Sequence, residues 1–216
     1  VLEGDNGDAI VVTDTTMSAE TATALTAMDA ANNDDAATAA AEGFAINAGG
    51  AAGVFAITDT QSNIVAAANA TAAAASTAVV ATDAALTVAQ AVTLEAAIGD
   101  ATPVYSVTDT YTNILLNQSG AAPIDVSDAT LTISGNLNIA QAKVVTGYGA
   151  SATTITVTDS ATNAAASATN AVVKGSAAVT TSFTFTTAAT VAQAATLEAQ
   201  GVTGYAITDS ATAVAA

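Results

Sequence analysis

The sequence contains no cysteine, histidine or tryptophan, and its only basic side chains are Lys143 and Lys174. Without cysteine, the chain cannot form a disulfide, an iron–sulfur cluster or a thiolate zinc site. Without histidine, cysteine or arginine, it has no histidine-based catalytic triad, no thiol nucleophile and no arginine clamp. No glycine-rich phosphate-binding motif occurs in the sequence either. We therefore expect no catalytic residues and no enzymatic activity.

Positive charge is nearly absent, because 19 acidic residues face two lysines and give a formal net charge of −17 at pH 7. Nucleic-acid binding requires clustered cations, and anionic membrane surfaces would repel such a chain. The uncharged stretch Ile64–Ala81 is about long enough to span a bilayer. It is, however, rich in alanine, threonine and asparagine and lies between repeated motifs. We expect no nucleic-acid partner and no membrane insertion.

The most regular feature of the sequence is a phrase in which apolar and polar residues alternate up to an aspartate, which Thr or Ser follows. The five aspartates are spaced by 45, 50, 50 and 50 positions: Asp14, Asp59, Asp109, Asp159 and Asp209. Alternation with β-branched and aromatic residues predicts strands. The expected strand residues are Ile10, Val12, Phe55, Ile57, Tyr105, Val107, Ile155, Val157, Tyr205 and Ile207. The alanine- and asparagine-rich stretch after each aspartate predicts a helix with the aspartate as its N-cap.

A second phrase occurs between successive aspartates, and it has Thr or Asn followed three residues later by Gln. It begins at Thr87, Asn138 and Thr190. This spacing predicts a capping box that opens a helix. Short runs of β-forming residues precede these helices at Val79–Ala81, Ile124–Val126, Leu131–Ile133 and Val179–Phe185. Each period therefore contains two strand–helix repeats of about 25 residues, a length typical of solenoid coils.

Alternating strands and helices predict parallel strands joined by crossover helices. A fixed period is typical of arrays in which each repeat buries its apolar face against its neighbours. We expect one elongated α/β solenoid, with repeats at about 1–45, 46–95, 96–145, 146–195 and, in part, 196–216. The alternative is an all-β sandwich or β-solenoid. In the irregular first period, we expect a helix in Ser18–Asp35 and a loop at Ala48–Gly53.

Oxygen-bearing side chains are densest near the N-terminus, where Asp5, Asn6 and Asp8 are candidate calcium ligands. The segment approximates the glycine–aspartate nonapeptide that binds calcium in parallel β-rolls. An acidic segment without a ligand is the alternative. The repeated aspartates would stand about 9–10 Å apart in every second coil of a solenoid. Repulsion at that distance is mild, so the aspartates need no bridging cation. Calcium is the one possible cofactor.

Asparagines also recur, four residues after three of the aspartates, at Asn63, Asn113 and Asn163. Stacked asparagines form side-chain ladders that satisfy loop backbone groups, and we expect that structural role here. Asn69 and Asn117 begin glycosylation acceptor patterns, which matter only if the source organism glycosylates its surface proteins.

Two phrases resemble a known class of repeats. T-V-A-Q-A-x-x-L-E-A stands at Thr87–Ala96 and Thr190–Ala199, and versions of Y-x-I-T-D-T-x-x-N-I stand at Phe55–Ile64, Tyr105–Ile114 and Tyr205–Thr212. They resemble the repeats of very large extracellular adhesin-like, surface-layer-like or repeats-in-toxin-associated proteins of bacteria, including cyanobacteria. The resemblance covers most of Phe55–Ala216. It implies secretion and a structural or adhesive role at the cell surface.

These observations lead us to expect a non-catalytic extracellular structural protein that forms a filament, sheath or surface layer. The alternative is a calcium-dependent adhesin or a glycan- or protein-binding repeat module. Solenoids need polar terminal repeats, yet neither end of this sequence carries a charged, atypical cap. We therefore expect either a longer polypeptide or a homopolymer in which Val1–Thr13 contacts Tyr205–Ala216 of another copy.

Overall fold

The computed structural model of the chain describes residues 14, 16–32, 47–48, 51–52, 55–99, 101–127, 129–168, 170–174 and 178–215. The chain divides into two compact halves, Val1–Tyr105 and Ser106–Ala216. Each half contains one four-stranded sheet whose strands are parallel and are connected through helices. The predicted α/β class is therefore confirmed, and the all-β alternative does not describe either half.

The N-terminal half has a sheet with the strand order β1-β4-β5-β6. Its elements are β1 (Thr16–Met17), α1 (Ala19–Asn32), β2 (Asn47–Ala48), β3 (Ala51–Ala52), β4 (Ala56–Asp59), α2 (Gln61–Ile64), a 3-10 helix (Ala67–Asn69), α3 (Ala70–Ala75), β5 (Ala78–Ala81), α4 (Val88–Ile98) and β6 (Thr102–Val104). Strands β2 and β3 form a separate antiparallel pair. They include part of the stretch 48–53, for which we expected a loop.

The C-terminal half has a sheet with the strand order β10-β9-β8-β7. Its elements are β7 (Ser106–Thr110), α5 (Tyr111–Gln118), β8 (Thr130–Leu137), α6 (Ile139–Thr146), β9 (Ala152–Asp159), α7 (Ala161–Ala166), α8 (Ala171–Lys174), β10 (Val179–Phe185), α9 (Val191–Glu198) and α10 (Ala211–Val214). An isolated parallel bridge joins Ala189 to Ile207. Sequential strands are thus neighbours in both sheets.

The strand register repeats with a nearly constant offset. Ala56 lies opposite Ala78, which lies opposite Thr102, so the offsets in the N-terminal half are 22 and 24 residues. In the C-terminal half, Ser106 lies opposite Thr130, and Thr130 opposite Ala152, which gives 24 and 22 residues. The last pair, β9 with β10, has an offset of 26 residues. Each strand and its connection therefore occupy nearly the same length of chain.

The core of each half consists of one face of the sheet and small helical side chains. Ile57, Val79, Val107 and Val157 on the strands are fully buried, at 0 % exposure. Helical alanines are equally buried, at Ala72, Ala73, Ala91, Ala142 and Ala164. Burying alanine costs no side-chain entropy, and its short side chain lets helices approach one another closely. Accordingly, α1 packs on α3 and α3 on α4, while α6 packs on α8 and α7 on α9.

Most of the strand predictions within the described residues are correct. Ile57, Val107, Ile155 and Val157 lie in strands, and the predicted run Leu131–Ile133 lies in β8. Phe55 and Tyr105 each immediately precede a strand and are buried, whereas Tyr205 lies outside strands and Ile207 forms a single bridge. The run Ile124–Val126 is not a strand. Helix α1 confirms the predicted helix for Ala19–Asn32. Ile10 and Val12 lie outside the described residues.

Candidate functional site

Two kinds of strand–helix repeat alternate along the chain. In the first kind, here called the aspartate repeat, Thr or Ser follows the aspartate and directly precedes helix α2, α5, α7 or α10. In the second kind, here called the glutamine repeat, the residue before helix α1, α4, α6 or α9 is the N-cap. These second N-caps are Ser18, Thr87, Asn138 and Thr190. The three predicted capping boxes, which open α4, α6 and α9, are all present.

The N-caps of the aspartate repeats are not the aspartates. The residue after each aspartate has this role, and its side chain accepts the backbone N–H three positions later: Thr60, Thr110, Ser160 and Ser210. The prediction that the aspartates are the N-caps is therefore wrong by one residue. Asp, Thr and Ser are all favourable N-caps, so the pair of adjacent candidates in the sequence concealed the true position.

The aspartate itself connects two helices of neighbouring repeats, as Asp159 shows. Its Oδ1 accepts the backbone N–H of Ser160 at 2.7 Å and the side-chain amide of Asn163 at 2.7 Å. Its Oδ2 accepts the backbone N–H of Ile139 at 2.9 Å, and Ile139 is the first residue of α6 in the preceding glutamine repeat. One carboxylate therefore satisfies donors at the N-termini of two successive helices. We call this arrangement the carboxylate joint.

The same joint recurs in both halves. Asp59 Oδ2 accepts the N–H of Ala19 at 3.1 Å, and Asp209 Oδ2 accepts the N–H of Val191 at 3.0 Å. Ala19 and Val191 are the first residues of α1 and α9, which belong to the preceding glutamine repeats. The Oδ1 atom of Asp109 accepts Thr110 N–H and the Asn113 side chain, both at 2.7 Å. The joint is thus a regular property of the aspartate repeats.

The glutamine repeats provide the equivalent acceptor for the preceding aspartate repeats. Asp83 Oδ2 accepts the N–H of Gln61, the first residue of α2, at 2.6 Å. In the C-terminal half the hydroxyl of Thr187 accepts the N–H of Ala161, the first residue of α7, at 3.2 Å. Sequence reasoning missed these contacts, although the dipeptide Thr82-Asp83 before a capping box is a visible signal for the first of them.

The recurring asparagines do not form the predicted ladder. The side chains of Asn63, Asn113 and Asn163 each donate to the aspartate of their own repeat, at 2.8, 2.7 and 2.7 Å. Four residues is one helical turn, so the amide reaches back to the carboxylate instead of across to the next repeat. The ladder prediction is therefore wrong, and the asparagines serve to orient the carboxylate joint.

The two predicted glycosylation acceptors differ in how their side chains are placed. Asn69 is buried, its amide nitrogen donates to the carbonyl of Asn63 at 2.8 Å, and its oxygen accepts the hydroxyl of Thr23 at 2.8 Å. Asn117 Oδ1 accepts the backbone N–H of Ile124 at 3.1 Å. Because both ends of the Asn69 amide are engaged, this side chain has a structural role.

The carboxylates of the joint are stabilised in their ionised form. Partial burial alone would raise the pKa of Asp59, but hydrogen bonds from Asn63, Thr60 and Ala19 outweigh burial and lower the pKa. Burial likewise acts to raise the pKa of Asp159, and hydrogen bonds from Ile139, Asn163 and Ser160 lower it overall. Both side chains therefore carry negative charge at neutral pH, which suits contact with the partly positive N-terminus of a helix.

Asp14 belongs to a different series from the other four aspartates. Met17 pairs with Ile57, just as Leu137 pairs with Val157 and Ala189 with Ile207. Met17, Leu137 and Ala189 each directly precede the N-cap of a glutamine repeat. Asp14, which is exposed, therefore precedes a glutamine repeat, and this explains why its spacing to Asp59 is 45 instead of 50.

Metal ligands do not cluster within the part of the chain that the structure describes, where no group of three or more Asp, Glu, His or Cys side chains is placed to hold an ion. The candidate calcium ligands Asp5, Asn6 and Asp8 lie outside the described residues. Calcium binding at these residues stays a prediction. The carboxylates of the joint instead accept hydrogen bonds from nitrogen donors.

Two grooves lie on the C-terminal half, and neither brings together a catalytic pair among its described lining residues. The first, about 500 Å³, borders the joint at Asp159 and includes Lys143, whose Nζ donates to Ser167 Oγ at 2.9 Å. The second, about 610 Å³, lies beside β10 and is lined by Val172, Val173 and residues 200–204. The charged groups of the first groove are hydrogen-bonded to protein groups, as expected of a structural contact.

Comparisons with known proteins leave this α/β repeat pattern to be interpreted by itself. No protein-family model, no curated protein and no solved structure matches the chain. Within the ranges that the structure describes, no helix is long and apolar enough to cross a membrane. This agrees with the expectation of no membrane insertion by a helix.

Proposed function

We propose that this chain is a non-catalytic structural protein of the cell exterior, an α/β solenoid whose copies assemble into a filament, sheath or surface layer. The observation that carries the proposal is the carboxylate joint, because it assigns the most regular acidic residues of the sequence to contacts between repeats. Asp59, Asp159 and Asp209 each connect one repeat to the next through a helix N-terminus. Such residues maintain an array and perform no chemistry.

The solenoid part of the proposal rests on regularity within each half. Neighbouring parallel strands have offsets of 22 to 26 residues, and sequential strands are always adjacent in the sheets. Helices pack on helices of the neighbouring repeats, as α1 packs on α3 and α7 on α9. An array in which repeats contact only their neighbours has these properties, and it offers extended surfaces instead of one deep pocket.

The absence of catalysis is supported by the chemistry of the acidic residues. A general acid or base works best with a pKa near the working pH. The hydrogen bonds at Asp59 and Asp159 lower the pKa of each carboxyl below its ordinary value, away from neutrality. A paired-carboxylate mechanism needs acids exposed to a substrate, whereas both oxygens of these two side chains already accept N–H groups.

The location and assembly rest on the sequence. The repeated phrases resemble those of large bacterial surface proteins, and the chain has no cysteine and only two basic residues. A net charge of −17 opposes contact between copies at low ionic strength, and salt screens that repulsion. We therefore expect assembly at physiological salt, with polymer formation increasing as ionic strength rises.

Sedimentation and electron microscopy of the 216-residue chain test the proposal directly. The expected result is filaments or sheets at physiological salt and dispersed particles at low salt. Persistent monomers at all salt and protein concentrations would contradict self-assembly. A parallel measurement of melting temperature with calcium, with magnesium and with chelator tests the alternative of a calcium-dependent module. A strong, calcium-specific rise in melting temperature would favour that module.

A further inference from the structure

The last aspartate repeat exposes residues that the other aspartate repeats bury. Ile207 is 51 % exposed, whereas the residues at the same distance from the aspartate in the other three repeats, Ile57, Val107 and Val157, are each 0 % exposed. All four lie two positions before the aspartate of their repeat. The apolar residue is therefore the same in kind, and only its environment differs.

Helix α10 shows the same contrast. Val214 lies five positions after Asp209 and is 63 % exposed. Its equivalents Ile64, Ile114 and Ala164 are 0, 2 and 0 % exposed. Ile207 and Val214 thus define an uncovered apolar surface, which we call the terminal face. In the other repeats the equivalent surface is an interface inside the fold.

The following glutamine repeat covers this surface wherever the structure shows it buried. Across the strands, Ile57 pairs with Val79, Val107 with Leu131 and Val157 with Phe183. Along the helices, α2 packs on α4, α5 on α6 and α7 on α9. In each case the covering group is a large apolar strand residue together with the helix of a glutamine repeat. The terminal face has the residues that such a repeat fits.

The first repeat of this chain is itself a glutamine repeat, and its sequence has the required apolar residue. Val79 stands eight positions before the N-cap of its repeat, while Leu131 and Phe183 stand seven positions before theirs. The N-cap of the first repeat is Ser18, and the residues eight and seven positions before it are Ile10 and Val11. Both are β-branched and suit a strand.

We propose that the terminal face binds the first glutamine repeat of a second copy of this chain. In this contact Ile10 or Val11 of one copy lies against Ile207 of the other, and α1 packs on α10. The contact repeats the alternation of aspartate and glutamine repeats found within each half. It rests on the proposed function, since it specifies how the copies assemble. A head-to-tail contact of this kind does not close by symmetry and produces a filament.

The variant Val214→Asp tests the terminal face in the full chain. Sedimentation velocity at physiological salt should show self-association weakened by roughly tenfold or more, because one aliphatic side chain is no longer buried and a like charge is added. Leu116→Asp is the matched control, since Leu116 in α5 is 67 % exposed and lies away from the terminal face. The control should assemble as the wild type does. Equal loss in both variants, or loss in neither, would overturn the inference.

A mixing experiment tests the direction of the contact. The double variant Ile10→Asp/Val11→Asp should block the opposite surface, so each variant alone should be monomeric. An equimolar mixture with Val214→Asp should form dimers and no longer assemblies, because only one intact pair of surfaces remains. Circular dichroism confirms that each variant is folded before mixing, and the Val214→Asp arm decides alone if the double variant is not.

The outcomes separate this inference from the proposed function. A wild type that never assembles contradicts both. A wild type that assembles while Val214→Asp assembles equally well contradicts only the docking of the terminal face. Association of the wild type with a different protein but not with itself would assign the terminal face to another occupant and overturn the proposal.

Discussion

The carboxylate of Asp159 accepts the backbone N–H of Ile139 at 2.9 Å, although 20 residues separate them in the sequence. Ile139 opens α6, and the first N–H groups of a helix have no acceptor within the helix. The capping box of Asn138 and Gln141 engages another of these donors. The aspartate at the end of β9 therefore completes the start of a helix in the preceding repeat, and it makes folding of the two repeats interdependent.

Replacing Asp159 with asparagine should measure the value of this contact. An amide keeps one oxygen for Ser160 and Asn163, but its nitrogen cannot accept the N–H of Ile139. We expect Asp159→Asn to lower the free energy of unfolding by about 1–3 kcal/mol, the usual cost of losing a hydrogen bond to a charged group. Urea denaturation of the full chain measures the change.

Glu20→Gln is the control for the loss of one negative charge. Glu20 is exposed in the first turn of α1. Its substitution should change the free energy of unfolding by no more than about 0.5 kcal/mol, as is usual for exposed positions. If the two variants were equally stable, the loss in Asp159→Asn would come from charge alone and the joint would have no special role.

The joint also predicts a pH dependence of stability. Hydrogen bonds lower the pKa values of Asp59 and Asp159 below the ordinary value of 3.8. A lowered pKa in the folded state means that the contribution to stability is complete above the unfolded pKa and is lost as pH falls through the folded pKa. We expect stability to fall steeply below about pH 4. Urea titrations across this range should show a shallower fall for Asp159→Asn, and an identical pH profile would refute the assignment.

The capping box of α9 offers a test in which the expected result depends on side-chain chemistry. Thr190 Oγ1 accepts the N–H of Gln193, and Gln193 Oε1 accepts the N–H of Thr190. Thr190→Ala should cost about 1 kcal/mol of stability. Thr190→Asn should remain close to the wild type, because Asn138 has the same role at α6. Thermal unfolding measures both, and equal destabilisation would show that the hydroxyl is not acting as a cap.

Two buried threonine hydroxyls predict a gain in stability. Within the described part of the chain, Thr158 and Thr181 each have a buried hydroxyl oxygen without a hydrogen-bond partner. Valine has nearly the same shape and removes the unsatisfied group, so Thr158→Val and Thr181→Val should each stabilise the protein by roughly 1 kcal/mol. Thr108→Val, at the exposed equivalent position in the preceding aspartate repeat, should be nearly neutral. A loss of stability in both buried variants would contradict this reasoning.

Local features of the fold were predictable from sequence, because they depend on residues within one helical turn. The capping boxes at Thr87, Asn138 and Thr190 follow from a spacing of three residues, and all three are present. Alternation near Ile57 and Val157 indicated strands for the same reason. Two adjacent residues with similar capping preferences, such as Asp159 and Ser160, left the exact N-cap undetermined.

Relationships between repeats were not predictable in this way. The contact of Asp159 with Ile139 depends on which strands are neighbours and on their register, and no local pattern encodes these. The first repeat shows the consequence, since Asp14 follows the same short phrase as Asp59 but precedes a glutamine repeat. Only the pairing of Met17 with Ile57 separates the two series. The uncovered surface at Ile207 also depends on packing, and the sequence around it resembles the buried copies.

The equal spacing of the aspartate repeats has a consequence for how such chains change in length. Their N-caps are 50 positions apart: Thr60, Thr110, Ser160 and Ser210. A duplication or deletion of fifty residues between two equivalent N-caps leaves each remaining strand beside a neighbour of the correct kind. It changes the sheet by two strands, or about 9–10 Å. Recombination between copies of the gene segment can therefore alter molecular length in fixed steps, while every surviving core contact is inherited intact.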